Sequence, residues 1–352
     1  MDDPLGTAVL SGGIIRNGSA ILGGAVYMTA GQFTLENNGV IESNNSTSNG
    51  GAIYLGSSGS YKGKFIMTGG TIKNNKALNL GGAIYLDGGD AFVSGGVIST
   101  NTSINGAGAY LSGGSLNISG GAINNNTATS NGGGTYLAGG ILNVTGGNIE
   151  ENTASNGAGA YLAGGTLNIS NGAINHNTAN SNGGGAYLEG GILNVTGGNI
   201  ESNKSVFGAG AYLDAGGTLN ISSGTISNNI ASTNGGGAYL GGGELNISGG
   251  AISKNSATSF GGGAYLEGGT LNVTGGNIEL NSALDGAGAY VNDGNIEMLS
   301  GSFANNHASE NGGGAYLTGG YINVSGGTFA NNSAQEHGDG AYLSAGNLTV
   351  TG

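Results

Sequence analysis

The sequence predicts an all-β chain folded as a parallel β-helix, a solenoid of about thirteen coils of 25–26 residues with three short strands in each. Two recurring signals carry that prediction. A Tyr set in Gly-x-Gly-Ala-Tyr-Leu, or a close variant, returns at Tyr27, Tyr54, Tyr85, Tyr110, Tyr136, Tyr161, Tyr187, Tyr212, Tyr239, Tyr265, Tyr290, Tyr316 and Tyr342. An Ile-x-x-Asn or Phe-x-x-Asn signal keeps the same beat at Asn17, Asn44, Asn75, Asn101, Asn126, Asn152, Asn177, Asn203, Asn229, Asn255, Asn281, Asn306 and Asn332. Because a coil this short can bury its apolar side chains only against its neighbours, the repeat implies one solenoid domain over 1–352. A first partial coil is expected over 1–22, a loop insertion over 57–62 and a last partial coil over 344–352.

The coil from Gly157 to Asn182 justifies each element in turn. Ala160-Tyr161-Leu162 reads as a strand with Ala and Leu on the inner face and Tyr on the outer. In Leu167-Asn168-Ile169-Ser170 the alternation of period two puts Leu and Ile inside, Asn and Ser outside. Ala173-Ile174 leads into Asn177, where the chain bends toward the next coil. Gly pairs and an occasional Asn, such as Asn171, turn the corners because they adopt positive φ cheaply. The Asn that follows the last apolar residue is expected to turn inward. Asn126, Asn152, Asn177, Asn203, Asn229, Asn255 and Asn281 would then form a structural ladder of amides at strand spacing, a role suited to a residue copied into every coil. The N-x-S/T triplets, such as Asn117-Ile118-Ser119, follow from the same columns and are not read as glycosylation signals.

Composition narrows the partners. Lys and Arg total 7 against 20 acidic residues, a formal charge of -13, which repels nucleic-acid backbones and anionic lipid headgroups. With no Cys there is neither a disulfide framework nor a thiolate metal site, so stability rests on stacking. No stretch is long and apolar enough for a membrane span, and Met1 to Pro4 lacks the regions of a signal peptide, so any export signal is expected to have been removed or to lie outside this sequence. No cofactor is expected. The Gly-Gly-x-Gly-x-Asp calcium repeat is absent, and the Gly-rich turns precede strands without the Lys-Ser/Thr and helix of a phosphate loop.

Gly-Gly-Ala-Val at Gly23 to Val26, Gly-Gly-Ala-Ile at Gly50 to Ile53 and Gly81 to Ile84, and Phe-x-x-Asn at Phe303 to Asn306 and Phe329 to Asn332 resemble the chlamydial polymorphic outer membrane protein repeat. The resemblance covers nearly the whole chain. It implies a right-handed parallel β-helix in a secreted or surface-displayed protein, commonly an adhesin or autotransporter passenger. The chain departs from that pattern by using Ile for Phe in most Phe-x-x-Asn copies and by lacking strands for a C-terminal barrel, which leaves anchoring and partner open.

Function is expected where the repeat breaks. Gly-Ala-Gly alternates with Gly-Gly-Gly before successive Tyr residues from Tyr110 to Tyr239, the mark of a duplicated two-coil unit. Between Tyr54 and Tyr85 the interval grows to 31 residues, and Ser57 to Lys62 should project as a loop. Lys62, Lys64, Lys73 and Lys76 cluster there with Tyr61, while Ile66 and Phe92 occupy outward positions usually held by Asn. Tyr61, Lys62, Lys64, Ile66 and Phe92 thus form a candidate contact patch, unless they are loop drift with solvated lysines. Tyr110, Tyr136, Tyr161, Tyr187, Tyr212, Tyr239 and Tyr265 form a candidate contact stripe, open to a partner because Gly and Ala flank the rings. Rings at strand spacing also stabilise a sheet, so both roles stand.

Catalysis is not expected. A polysaccharide-cleaving β-helix needs clustered carboxylates, whereas Glu150, Glu201 and Glu279 are separated by coils carrying Asn175 or Ser at the same position. Glu336, His337 and Asp339 lie at a Gly-rich corner without a further metal-ligand pattern. The expected function is an extracellular or cell-surface structural and adhesive solenoid that meets a surface, glycan or protein receptor or associates with itself. The alternatives are an ice-binding solenoid using the outward Asn and Ser/Thr array and a polysaccharide-binding or polysaccharide-cleaving β-helix. Ala8 to Gly12 and Leu348 to Gly352 share one strand phase, which suits head-to-tail stacking into a fibre or a segment of a longer rod, with Pro4, Asp2 and Asp3 blunting the first edge.

Overall fold

The computed structural model describes residues 6–351, so Asp2, Asp3, Pro4 and Gly352 lie outside the described residues. The described chain is all-β and forms two compact units, one up to Thr178 and one from Ala179 on. Each unit is a parallel β-solenoid, and the two together hold about thirteen turns.

One coil of the first unit shows how the sequence makes the fold. The tyrosine strand Ala109–Leu111 is followed by the strand Ser115–Ile118, then Ala122–Asn124, the three strands expected. A fourth segment, Thr127–Asn131, follows the bend at Asn126. Each pairs in parallel with its counterparts one coil before and after: Leu116 with Leu142, Ile123 with Ile149, Leu111 with Leu137. The second unit repeats the arrangement, with Leu219 beside Leu245, Ile226 beside Ile252 and Leu213 beside Leu240. These inward side chains are fully buried, and each such Leu or Ile contributes about 1.5–3 kcal/mol by leaving water. The fourth segment turns small residues inward, among them Ser103, Ala128 and Ala154, all buried.

The inward Asn ladder is present in both units. Asn126 Nδ2 donates to Asn152 Oδ1 at 3.0 Å and also to the Ile98 carbonyl one coil earlier at 3.0 Å. The same oxygen accepts the Asn126 main-chain N–H at 3.0 Å. Asn152 binds Asn177 in the same way, and in the second unit Asn203, Asn229, Asn255, Asn281, Asn306 and Asn332 form such links in sequence. Both amide hydrogens and the oxygen are thereby used within a wall that admits no water. Asn17 is the exception to the expected column. It stands one position too early, at the positive-φ bend, and Gly18 takes the ladder site, its N–H reaching Asn44 Oδ1 at 2.9 Å. The Ile-x-x-Asn spacing misplaces it because Ile15, not Ile14, is the partner of Ile41.

Corners are not made by Gly alone. The residue before each ladder Asn has positive φ whatever its type: Asn125 at 54°, Glu151 at 55°, Thr100 at 54° and Leu280 at 57°. For a side chain such as Thr or Leu that conformation costs roughly 1–2 kcal/mol, which the ladder bonds that follow offset.

The alternation of coil lengths resides in the fourth segment. Asn101 lies five residues before Gly106, and Asn126 six before Gly132, and the pairing shifts register between the two. Where the span is five, the middle of the Gly-x-Gly turn is Ala107 or Ala158, each fully buried. Where it is six, the turn carries Gly133, at which a Cβ would stand 2.6 Å from the Thr153 carbonyl oxygen. The bulged span leaves no room for a methyl group, so Gly-Ala-Gly and Gly-Gly-Gly alternate with coil length.

Candidate functional site

The tyrosines point away from the inner Ala and Leu, and their rings are buried or half-buried along much of the column. Tyr54, Tyr85, Tyr161, Tyr239, Tyr265 and Tyr290 are buried, and Tyr110, Tyr136, Tyr187 and Tyr212 half-buried. In the first unit neighbouring rings from Tyr27 to Tyr161 stack at centroid distances of 4.7–5.3 Å. In the second unit Tyr187 to Tyr316 stack at 4.8–5.4 Å, and Tyr342 tilts against Tyr316 at 5.0 Å. Phe207 meets Tyr239 edge-on and Phe260 stacks on Tyr290, so residues beside the column cover it further. At strand spacing, parallel rings hide one another's faces, which narrows the access expected for a partner.

Phenols of the column find carboxylates on the following coil. Tyr54 donates to Asp87 at 2.5 Å, Tyr187 to Asp214 at 3.3 Å and Tyr239 to Glu267 at 2.5 Å. Each acceptor stands two residues after the next Tyr of the column. Burial, then the bond to Asp87 and its charge, pushes the Tyr54 hydroxyl far above the ordinary phenol range, and burial with Glu267 does the same to Tyr239. Burial and the charge of Asp214 raise Tyr187 likewise. Burial and neighbouring phenols push Tyr110 up to about 12, and burial with the charge of Glu267 pushes Tyr265 up to about 12.

The insertion is a small antiparallel hairpin, Ser58 opposite Tyr61 and Ser57 opposite Lys62, with Gly59 at positive φ in its turn. Tyr61 is 54% exposed. Lys62 Nζ lies 3.5 Å from Asp90, and Lys64 Nζ sits 5.1 Å above the Phe92 ring. Ile66 pairs in register between Thr34 and Phe92 and is half-buried, less open than its outward phase suggested, because its neighbours flank it along the sheet.

The four clustered lysines do not make one patch. Lys73 belongs to the Ile72 strand and reaches Glu42 at 3.3 Å, while Lys76 lies on the fourth segment. There it borders a shallow groove with Leu78 and Ile104, which are 47% and 43% exposed. Sequence reading missed that groove. Its signal was the replacement of Thr129-like polar residues by Leu78 and Ile104 at the second position after the strand start.

The outward Asn residues form a second ladder. Asn143 Nδ2 donates to Asn117 Oδ1 and Asn168 to Asn143, each at 2.8 Å, and Asn220, Asn246 and Asn272 continue the pattern in the second unit. These bonds run toward the preceding coil, opposite to the inward ladder. Among the carboxylates, Glu150 pairs in register with Asn124 and Asn175, and Glu279 with Ser253 and Ala304, so like charges do not stack. His337 Nδ1 lies 2.9 Å from Asn311 Oδ1, Asp339 accepts the Ala334 N–H, and no group of three His, Asp or Glu converges among the described residues.

Fold and surface together define a parallel β-solenoid whose inward Asn amides bond from coil to coil. Comparison with protein-family models, curated proteins and solved structures finds no match for this chain.

Proposed function

We propose that this chain is an extracellular or cell-surface structural and adhesive β-solenoid that meets a surface, glycan or protein receptor at the hairpin-bearing patch of its first unit. The observation that carries the reading is the combination of Tyr61, the hairpin and Phe92 beneath Lys64. Along the outward ladder, the column that Phe92 enters is filled by Asn residues that bond to one another. At this patch the Tyr61 and Phe92 rings stand outward instead, and aromatic rings are enriched at protein contacts. The tyrosine column, whose rings cover each other, contributes rigidity.

Replacing Tyr61 by Ser and Phe92 by Asn together tests the assignment. Attachment of protein-coated beads to cells or to a glycan array should fall while the unfolding midpoint holds. Attachment that survives both changes removes the patch from the function.

A second reading, ice binding, draws on the outward Asn ladder, whose side chains are held at 2.8–3.0 Å from one another beside columns of Thr and Ser. Such bonds hold a regular polar array still. Thermal hysteresis and faceted ice crystals at micromolar protein would support it, and their absence would exclude it.

A further inference from the structure

We propose that the outward face of the second unit around Tyr321, Glu297 and Asn323 is a binding site for a neutral polysaccharide, with Tyr321 as the platform on which one pyranose ring stacks. The site lies where the outward Asn ladder breaks. Asn220, Asn246 and Asn272 each donate from Nδ2 to the preceding member, but the next position in register carries Glu297. An ionised carboxylate has no hydrogen to give, so Asn272 Oδ1 and Glu297 stand side by side as acceptors. On the other side of Glu297, Asn323 Nδ2 donates to its Oε2 at 3.0 Å. The Tyr321 hydroxyl also bonds to Glu297, which holds the phenol above its ordinary range.

That tether decides the posture of the ring. Tyr321 lies one coil beyond Glu297 and in register with Asn295, so a hydroxyl bonded to Glu297 lays the ring across the sheet. The residue stays 40% exposed, and Leu299, 58% exposed, adds apolar surface just past Glu297. An aromatic face bordered by acceptors matches a pyranose, which carries both kinds of surface. Its C–H hydrogens meet the negative face of the ring, while its hydroxyls donate to Asn272 Oδ1 and to the Glu297 carboxylate, whose two oxygens accept about four bonds. The formal charge of -13 repels anionic polysaccharides, so the chain bound is a neutral one. The site belongs to the second unit and does not depend on the Tyr61 and Phe92 patch of the first.

Affinity electrophoresis of the intact chain through gels cast with β-glucan, xylan, galactan or mannan tests the proposal. At least one of these polysaccharides should retard the wild type, and Tyr321→Ala should weaken that binding by about tenfold or more. Glu297→Asn supplies the ladder with the donor it lacks, so its unfolding midpoint should equal or exceed the wild type's while binding falls by a similar factor. That variant carries the test if Tyr321→Ala does not fold. Tyr61→Ser with Phe92→Asn should leave the retardation unchanged, which separates this site from the patch of the first unit. Migration of the wild type that none of the polysaccharides slows would overturn the assignment. Retardation that survives Tyr321→Ala and Glu297→Asn, or that disappears with the Tyr61 and Phe92 changes, would overturn it equally.

Discussion

Asn152 Oδ1 accepts two hydrogen bonds from Asn126, one from Nδ2 and one from the main-chain N–H, each at 3.0 Å. A single amide oxygen thereby ties a side chain and a bend of the preceding coil to its own. Replacing Asn152 by Ala leaves those donors buried and unpaired, at a cost of about 1–3 kcal/mol for each group. Asn143→Ala on the outward ladder should cost less than about 1.5 kcal/mol, because water can reach the partners it leaves. Urea unfolding midpoints of the two variants check the difference, and equal losses would contradict the separate roles of the ladders.

Gly133 and Ala107 occupy the same place in coils of different length. Gly133→Ala pushes a methyl group against the Thr153 carbonyl oxygen and should destabilise the chain by about 1–3 kcal/mol through overpacking. Ala107→Gly should cost roughly 0.5–1 kcal/mol, the usual loss for added backbone freedom. Deleting one residue from Thr127–Asn131 in the Gly133→Ala background should restore part of the lost stability, measured by thermal unfolding.

The tyrosine stack predicts an alkaline limit. In the unfolded chain each phenol ionises near its ordinary value of 10.0, while Tyr110 and Tyr265 hold their protons in the folded state up to about 12. The folded state therefore binds more protons between those values. Stability from these groups is complete below pH 10 and is lost as pH rises through about 12. Unfolding midpoints should fall steeply above pH 10, and Tyr110→Phe with Tyr265→Phe should flatten that decline.

Phe92 pairs in register with Asn117, the first member of an outward ladder. Phe92→Asn should let that ladder gain one further rung, so the unfolding midpoint should hold or rise slightly. On the adhesion reading, attachment should drop in the same protein. A parallel loss of stability and attachment would instead make Phe92 a packing residue.

Much of this was legible in the repeat. Leu162, Leu167 and Ile169 fall inside by alternation alone, and Asn126 to Asn281 form a ladder that their recurrence in every coil announces, because a one-dimensional stack copies local sequence directly into contacts. What depends on adjacent coils was not legible. Asn17 shares its motif but sits one residue off the ladder, since register is set by pairing with Ile41. Glu151, Thr100 and Leu280 take a left-handed bend that their types disfavour, because the coil must turn there for the next Asn to enter the wall.

The sequence by itself determined the coil, its inner and outer faces and the solenoid that follows from them. Only the tertiary structure decided that Lys62 and Lys64 face Asp90 and Phe92 while Lys73 and Lys76 lie on other sheets, and that the outward tyrosines cover one another. The physical reason is distance: alternation along a strand tells which side a residue takes, whereas burial of a ring or pairing of a charge depends on what stands one coil away.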